Sequence, residues 1–303
     1  MKALEIKKLD KTYWDNKVLK SIDLDIESGD FFALLGYNWA GKTTTIWILT
    51  DLVRKDAWLV KVFWEDIDKD FSKAKKYIWV VPQEFNFNIF QNVMDVPVTQ
   101  AGYYWVPKKV ALERTEKYLR KLWLWEKRNN EARELSGGMK RRLMIVRALV
   151  HEPKFLILDE PTAWVDVELR QQTWEFIQEL NESGITILLT THYLEEVEAL
   201  CNKVAIINKW KIVENTTTKK LLAKLDEEII LLDIEKSIEK LDKDLVKKYK
   251  AKLVDKKEIE ISISRKQNIT DLISDLSKMD IIVTSFRNKR SRLEQLFINI
   301  TKE

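Results

Sequence analysis

The chain has 303 residues, enough for one large domain or two moderate ones, and its 52 Lys and Arg against 48 Asp and Glu leave a net charge of +4. That charge is too mild to argue for a nucleic-acid partner, and Cys201, the single cysteine, excludes an intrachain disulfide and fits a reducing compartment. No run approaches the roughly 18 apolar residues of a membrane span and residues 1–5 form no signal-peptide core, so a soluble cytoplasmic protein is expected, one that can still sit on a membrane partner.

Residues 3–9 and 21–26 alternate apolar and polar, as half-buried strands do, and residues 28–30 (Ser-Gly-Asp) make a turn. Residues 31–35 (Phe-Phe-Ala-Leu-Leu) form a fully apolar strand. It feeds Gly36-Tyr37-Asn38-Trp39-Ala40-Gly41-Lys42-Thr43, which fits the spacing G-x-x-x-x-G-K-[ST], and a helix from Lys42 through Thr44 to about Asp51 is expected next. In that context backbone N–H groups form a nest for phosphate oxygens and the helix dipole adds to it. Lys42 supplies a point charge to the β and γ phosphates of a nucleotide. The Thr43 hydroxyl is a ligand for Mg2+, which keeps most of its waters.

Strands follow at 61–63 and 78–81, the second ending in Pro82-Gln83. A glutamine in that place is usually a solvated loop residue. From 88 to 150 the pattern turns helical, with residues 108–122 at loose helical spacing. Phe85, Phe87, Phe90, Tyr103, Tyr104 and Trp105 make this stretch dense in aromatics; core packing is one role for them and a docking surface the other. At Leu135-Ser136-Gly137-Gly138-Met139-Lys140 a good N-cap serine opens a helix that runs to about Leu149. A helix N-terminus with free N–H groups is an anion site. His151-Glu152-Pro153 ends the helix, and His151 reads as structural. Residues 155–158 are a short buried strand with Asp159 and Glu160 at its C-terminal end, where open α/β sheets place their chemistry.

After Pro161 a helix is expected over 167–183 and a buried strand over 185–190, ending at Thr191-His192. A lone histidine in a loop is most often structural. This one ends a strand, as Gln83 and Asp159 do, and three polar groups on one edge of a parallel sheet favour a functional role. Residues 204–207 and 212–213 close this region as a hairpin. Near Asp226 the composition shifts. Residues 235–257 are charge-dense and read as a solvated face or mobile segment. Strands at 229–234, 258–264 and 281–284, a helix at 269–279, and a capping box at Ser291 and Glu294 outline a small α+β domain without a catalytic constellation.

Together these motifs resemble one family, the ATP-binding subunits of ABC transporters. The phosphate loop and acidic strand end alone say P-loop NTPase. The stretch Leu135-Ser136-Gly137-Gly138-Met139-Lys140-Arg141-Arg142 is similar to the signature specific to this family. Gln83 matches its Q-loop, Asp159 and Glu160 the Walker B pair, Ala163-Trp164-Val165-Asp166 the D-loop, His192 the switch histidine, and Tyr13 the aromatic that stacks on adenine. The resemblance covers roughly residues 3–225, and its wording is similar to the bacterial ABC-2 branch, which exports drugs, lipids or polysaccharides. It implies an α/β P-loop NTPase with an antiparallel β subdomain and a helical subdomain at about 88–150, all within residues 1–225. A small accessory α+β domain would occupy 226–303.

The resemblance also implies ATP and Mg2+ as cofactors, with Thr43, Asp159 and Gln83 on the metal, Glu160 as the group that activates water, and His192 on the γ-phosphate. Ser136, Gly137 and Gly138 would cap the ATP of a second copy in a homodimer, and Asp166 would lie at that interface. An integral membrane permease, two subunits of it, would receive the motion at the inner face of the cell membrane. A soluble ATPase of the same family in translation or DNA repair is the first alternative; such members carry two cassettes or a long coiled coil, and neither occurs here. A non-hydrolysing nucleotide-binding module is the second.

That second alternative rests on the tryptophans. Glycine occurs 7 times and tryptophan 12 times, against a usual glycine share of about 7%. The family has glycine where this chain has Trp39, Trp58, Trp64, Trp79, Trp164 and Trp210, usually glycine at Asp51, and proline at Tyr37. Replacement at six glycine sites reads as systematic, engineered or misassigned rather than selected. At Trp39 a left-handed backbone would be strained and an indole would crowd the phosphates.

Overall fold

The computed structural model describes residues 1–56, 59–162, 167–225, 227–264, 267–289 and 291–302, and the chain divides into two compact units, Met1–Thr218 and Lys219–Glu303. The first unit opens with a hairpin of β1 (Lys2–Tyr13) and β2 (Asn16–Glu27), both longer than the alternating stretches that announced them. Leu4, Ile6, Leu9, Leu19, Ile22, Leu24 and Ile26 point inward and are buried, the outcome of a period-two apolar pattern. Next come β3 (Phe31–Leu35) and α1 (Lys42–Leu49). Then β4 (Leu59–Val62) and β5 (Glu65–Asp66) complete an antiparallel sheet of order β2-β1-β4-β5.

After α2 (Phe71–Ala74) and β6 (Ile78–Val81) the chain becomes helical, with α3 (Asp95–Gly102), α4 (Lys108–Lys121) and α5 (Gly137–Leu149). The remaining elements of this unit are β7 (Phe155–Asp159), α6 (Val167–Glu182), β8 (Thr186–Thr191), α7 (Leu194–Leu200), β9 (Lys203–Asn208) and β10 (Lys211–Thr217). They build a second sheet of order β10-β9-β3-β8-β7-β6, parallel from β9 to β6, with β10 antiparallel on its edge. Every residue of β3, β7 and β8 is buried, so these strands read as continuous apolar runs rather than alternating ones. Parallel pairing puts the C-terminal ends of β3, β6, β7 and β8 on one edge.

The helix α8 (Thr218–Leu222) begins at the last residue of the first unit, and the second unit continues with β11 (Glu227–Ile234), α9 (Lys243–Tyr249), β12 (Lys252–Asp255), β13 (Glu258–Ser264), α10 (Ile269–Lys278), β14 (Val283–Asn288) and α11 (Arg292–Lys302). The sheet order is β12-β13-β11-β14, all antiparallel. Residues 235–257 are not simply a solvated stretch. Leu245 and Tyr249, four residues apart on α9, are buried against Ile259, Ile261, Leu272 and Leu276, and that stripe seats a helix whose other residues are charged apart from the exposed Val246. The strand expected at 281–284 starts two residues later. Ser291 accepts the Glu294 N–H at 3.1 Å, half of the predicted capping box.

Among the described residues five tryptophans, Trp14, Trp39, Trp105, Trp123 and Trp210, have φ between 53° and 69°. In this left-handed region an L-residue is disfavoured by roughly 1–2 kcal/mol. Trp39 and Trp210 are among the expected glycine sites, and Asp51, at φ 58°, joins them. Trp64 and Trp79 are outside that region: Trp64 packs on Phe63 and Tyr77, and Trp79 on Tyr104 and His151, so backbone geometry demands no glycine there. Trp58 and Trp164 lie outside the described residues. At Trp14, Trp105 and Trp123 no local spacing in the sequence marks a left-handed backbone.

Candidate active site

The loop between β3 and α1 is fixed at both ends by glycine. A Cβ on Gly36 would stand 2.6 Å from the Ile207 carbonyl oxygen, so only a bare backbone can leave β3 this close to β9. Gly41, at φ 113°, caps α1, and a Cβ there would meet Leu19 Cδ2 at 2.7 Å. Between them Tyr37, Asn38 and Trp39 are exposed and Ala40 is buried. Lys42 Nζ turns back to donate to the Gly36 carbonyl at 2.5 Å and the Tyr37 carbonyl at 3.2 Å, so the loop curls around an ammonium. Burial pushes the Lys42 pKa down, while Glu160 and Asp159 pull it back up. Thr43 and Thr44 follow in the first turn of α1, exposed and half-buried respectively. Trp210 Nε1 donates to the Trp39 carbonyl at 3.1 Å, which ties the loop to the β9–β10 turn.

Across the sheet edge, Asp159 and Glu160 are each only 8% exposed. Thr190 Oγ1 on β8 donates to Asp159 Oδ1, and burial pushes the Asp159 carboxyl above its ordinary pKa. Glu160 accepts Gln83 Nε2 on Oε2 at 3.0 Å, and its Oε1 lies 3.0 Å from His192 Nδ1. Its own N–H donates to the Thr190 carbonyl at 2.9 Å. The ends of β6, β7 and β8 thus converge on one carboxylate, with the Lys42 charge facing it. The sequence placed Gln83 and His192 on the same edge; the structure adds that they touch the same side chain.

Other candidates stand apart. Ser136 caps α5, its Oγ accepting the Met139 N–H at 3.3 Å, and Ser136 and Gly137 are exposed with Gly138 half-buried. Among the described residues no hydrogen bond joins this turn to the phosphate loop. Tyr13 ends β1 with its ring 5.2 Å from Lys11 Nζ, and no hydrogen bond among the described residues links it to the loop either. Asp166 lies outside the described residues.

Arg141 and Glu196 are buried charges to which the sequence motifs assign no role. Arg141, 2% exposed, donates from its two terminal nitrogens to the carbonyls of Pro82, at 2.6 Å, and Gln83, at 2.5 Å. Glu196, fully buried on α7, accepts from Thr162 Oγ1 and from Trp174 Nε1 at 3.2 Å. Each signal was present as a charge inside an apolar helix face, since a buried charge must be paired.

In the aromatic segment Phe85, Phe90, Tyr103 and Trp105 are exposed, whereas Tyr104 stacks on His151 at 4.1 Å. Neither ring nitrogen of His151 has a hydrogen-bond partner, and burial pushes its pKa down to about 4.

For a metal, the described residues offer no cluster of three or more His, Cys, Asp and Glu side chains. Asp159, Thr43 and Gln83 are hard oxygen donors, and a few such donors plus phosphate oxygens and water are what Mg2+ takes. No helix among the described residues is long and apolar enough to cross a membrane.

Comparisons with known proteins agree with this geometry. The family described as "ABC transporter" matches residues 19–163. The chain is 31% identical over 307 aligned residues to the linearmycin resistance ATP-binding protein LnrL of Bacillus subtilis, covering 98% of each. It is 38% identical over 205 residues to the Nod factor export ATP-binding protein I of Cupriavidus pinatubonensis, covering 68% of this chain and 63% of that one. Among solved structures, cbiO1 of Clostridium perfringens, part of the ABC transporter complex cbiONQ, superposes with a TM-score of 0.67 at 26% identity, over 74% of this chain and 91% of that chain.

Proposed function

Because the chain belongs to the ATP-binding subunits of ABC transporters, which are ATPases, we propose that it hydrolyses ATP in a homodimer and powers a separate exporter-type membrane permease. The observation that carries this reading is Glu160, held by Gln83 and His192 beside the Lys42 loop. Phosphoryl transfer to water needs positioning and electrostatics more than covalent chemistry. Lys42 and the loop amides bind the phosphates, and the α1 dipole adds to their field. Thr43 and Asp159, with Gln83, would hold Mg2+, which when bound neutralises charge on the β and γ phosphates. Glu160 orients the attacking water and takes its proton. His192, fixed by Glu160, presents its ring to the γ-phosphate.

One chain holds a single phosphate loop and a single Ser136 helix end, and among the described residues no hydrogen bond joins the two. A twofold dimer would pair each loop with the partner's Ser136–Gly138 turn and enclose two ATP molecules, with Tyr13 stacking on adenine and Asp166 at the interface. The exposed aromatics between Phe85 and Trp105 would dock the permease, one permease subunit per copy, at the inner face of the membrane. Export is the direction because the names of two relatives speak of resistance and export. Residues 226–303 would act as an accessory domain. Trp39, exposed and left-handed in the loop, favours a second reading, a module that binds nucleotide without turning it over.

Glu160→Gln separates the two. It keeps size and hydrogen bonding but removes the proton acceptor, so turnover should fall by on the order of 10²-fold or more while nucleotide binding survives. ATP should then hold this variant as a dimer in size-exclusion chromatography. Tight ATP binding without dimer, at high protein concentration, would favour the non-hydrolysing module.

A further inference from the structure

The signature helix and the Gln83 loop are joined by arginines whose contacts go to backbone rather than to carboxylates. Arg141 sits one turn into α5, and its guanidinium fork spans the carbonyls of Pro82 and Gln83, with the Phe85 ring 5.2 Å away. Six residues on, Arg147 donates to the Asn86 carbonyl at 2.9 Å. Both are buried. Gln83 itself is exposed, and among the described residues its side chain hydrogen-bonds to Glu160. Strand pairing anchors the chain as far as Val81, opposite Leu158; beyond it the fork holds the Pro82 and Gln83 peptides, so the aim of that amide depends on it. Arg142, also buried on the same helix, points elsewhere, to the Leu122 carbonyl at 2.8 Å.

We infer that Arg141 is a positioning residue for hydrolysis: it clamps the two peptides around Gln83 to the signature helix, and so sets where the Gln83 amide meets Glu160. The inference rests on the assignment of Glu160 as the water-activating group. A planar guanidinium is suited to two carbonyls at once, whereas an ammonium is a point charge on a flexible stem and reaches one of them well. The buried charge also lies near Asp159 and Glu160, so replacing it with an apolar group changes the field as well as the geometry.

The test uses the full chain with Arg141→Lys, Arg141→Met and, as a matched buried control, Arg142→Lys. Thermal midpoint, ATP dissociation constant and steady-state turnover are measured for each. Misplacing a catalytic group by about 1 Å costs on the order of 10²-fold. Arg141→Lys should therefore lower kcat by roughly 10-fold and Arg141→Met by roughly 100-fold, with ATP affinity held within about 3-fold. Arg142→Lys should lower the midpoint as much as Arg141→Lys does without splitting kcat from affinity. Unchanged kcat in a folded Arg141→Lys chain would overturn the inference, and so would parallel losses of midpoint, affinity and kcat at both arginines. Should Arg141→Met not fold, the lysine variant still decides. Glu160→Gln is run alongside. If it leaves turnover intact, the water-activating assignment fails, a result distinct from failure at Arg141.

Discussion

Replacing Trp39 by glycine tests whether the phosphate loop is built for a residue without a side chain. Its φ is 69°, and its indole is 94% exposed, so truncation gives up almost no buried surface. The one hydrogen bond it receives, from Trp210 Nε1, goes to its carbonyl and survives the change. Left-handed strain of roughly 1–2 kcal/mol is removed, and the extra freedom of an unfolded glycine offsets roughly 0.5–1 kcal/mol of it. The net gain is about 1 kcal/mol, or roughly 2–4 °C in thermal midpoint for a unit of this size. Strain present with and without nucleotide cancels from the binding equilibrium, so tighter ATP binding would come only from the lost bulk beside the phosphates. Scanning calorimetry with and without ATP, plus a titration, measures both. Trp174→Gly serves as the opposite case, since that indole donates to buried Glu196 and its loss should destabilise. A Trp39→Gly chain with an equal or lower midpoint would refute the strain argument. Equal affinity would show that the loop accommodates the indole.

Three further outcomes follow from the same geometry. His151 titrates near its ordinary value of 6.5 when unfolded but only at about 4 when folded. Stability should be complete above pH 6.5 and fall as the pH drops through that window, by up to about 2 kcal/mol between pH 7 and 5, and His151→Phe should flatten the slope in urea unfolding. Phe90→Glu and Tyr103→Glu change side chains that are 66% and 75% exposed, so they should abolish co-purification with a membrane partner and leave the midpoint within about 1 kcal/mol; unfolding instead would assign these rings to the core. Ser136→Arg in the Glu160→Gln background should prevent the ATP-held dimer without weakening ATP binding to the monomer, read by light scattering and titration. A persisting dimer would show that Ser136 does not face the partner's nucleotide.

The sequence revealed the fold best where one local rule sufficed. Continuous apolar runs marked β3, β7 and β8 because both of their faces are covered, and Ser136 marked the start of α5 because a cap is a local bond. What it concealed depends on contacts distant in the chain. Arg141 meets Pro82 and Gln83 about sixty residues back, and Glu196 meets Thr162 thirty-four residues back; neither spacing carries a pattern. Residues 235–257 looked unstructured because charge density hid the Leu245 and Tyr249 stripe. The left-handed tryptophans at 14, 105 and 123 were illegible because φ is not written in side-chain chemistry, and only the glycines that the family carries at those positions made Trp39 and Trp210 suspect.

The position of β3 in its sheet has a consequence for synthesis. Phe31 and Phe32, near the start of the chain, pair with Ile187 on β8 and Lys203 on β9, and Gly36 nestles against Ile207. The strand that feeds the phosphate loop therefore waits about 150 residues for β8 and about 170 for β9 to leave the ribosome. At roughly 5–20 residues per second that is an interval of about ten seconds or more in which the apolar β3 strand has both edges unpaired. A nascent chain halted before that point is expected to expose a sticky strand, whereas one halted just after β10 should already be able to close around ATP.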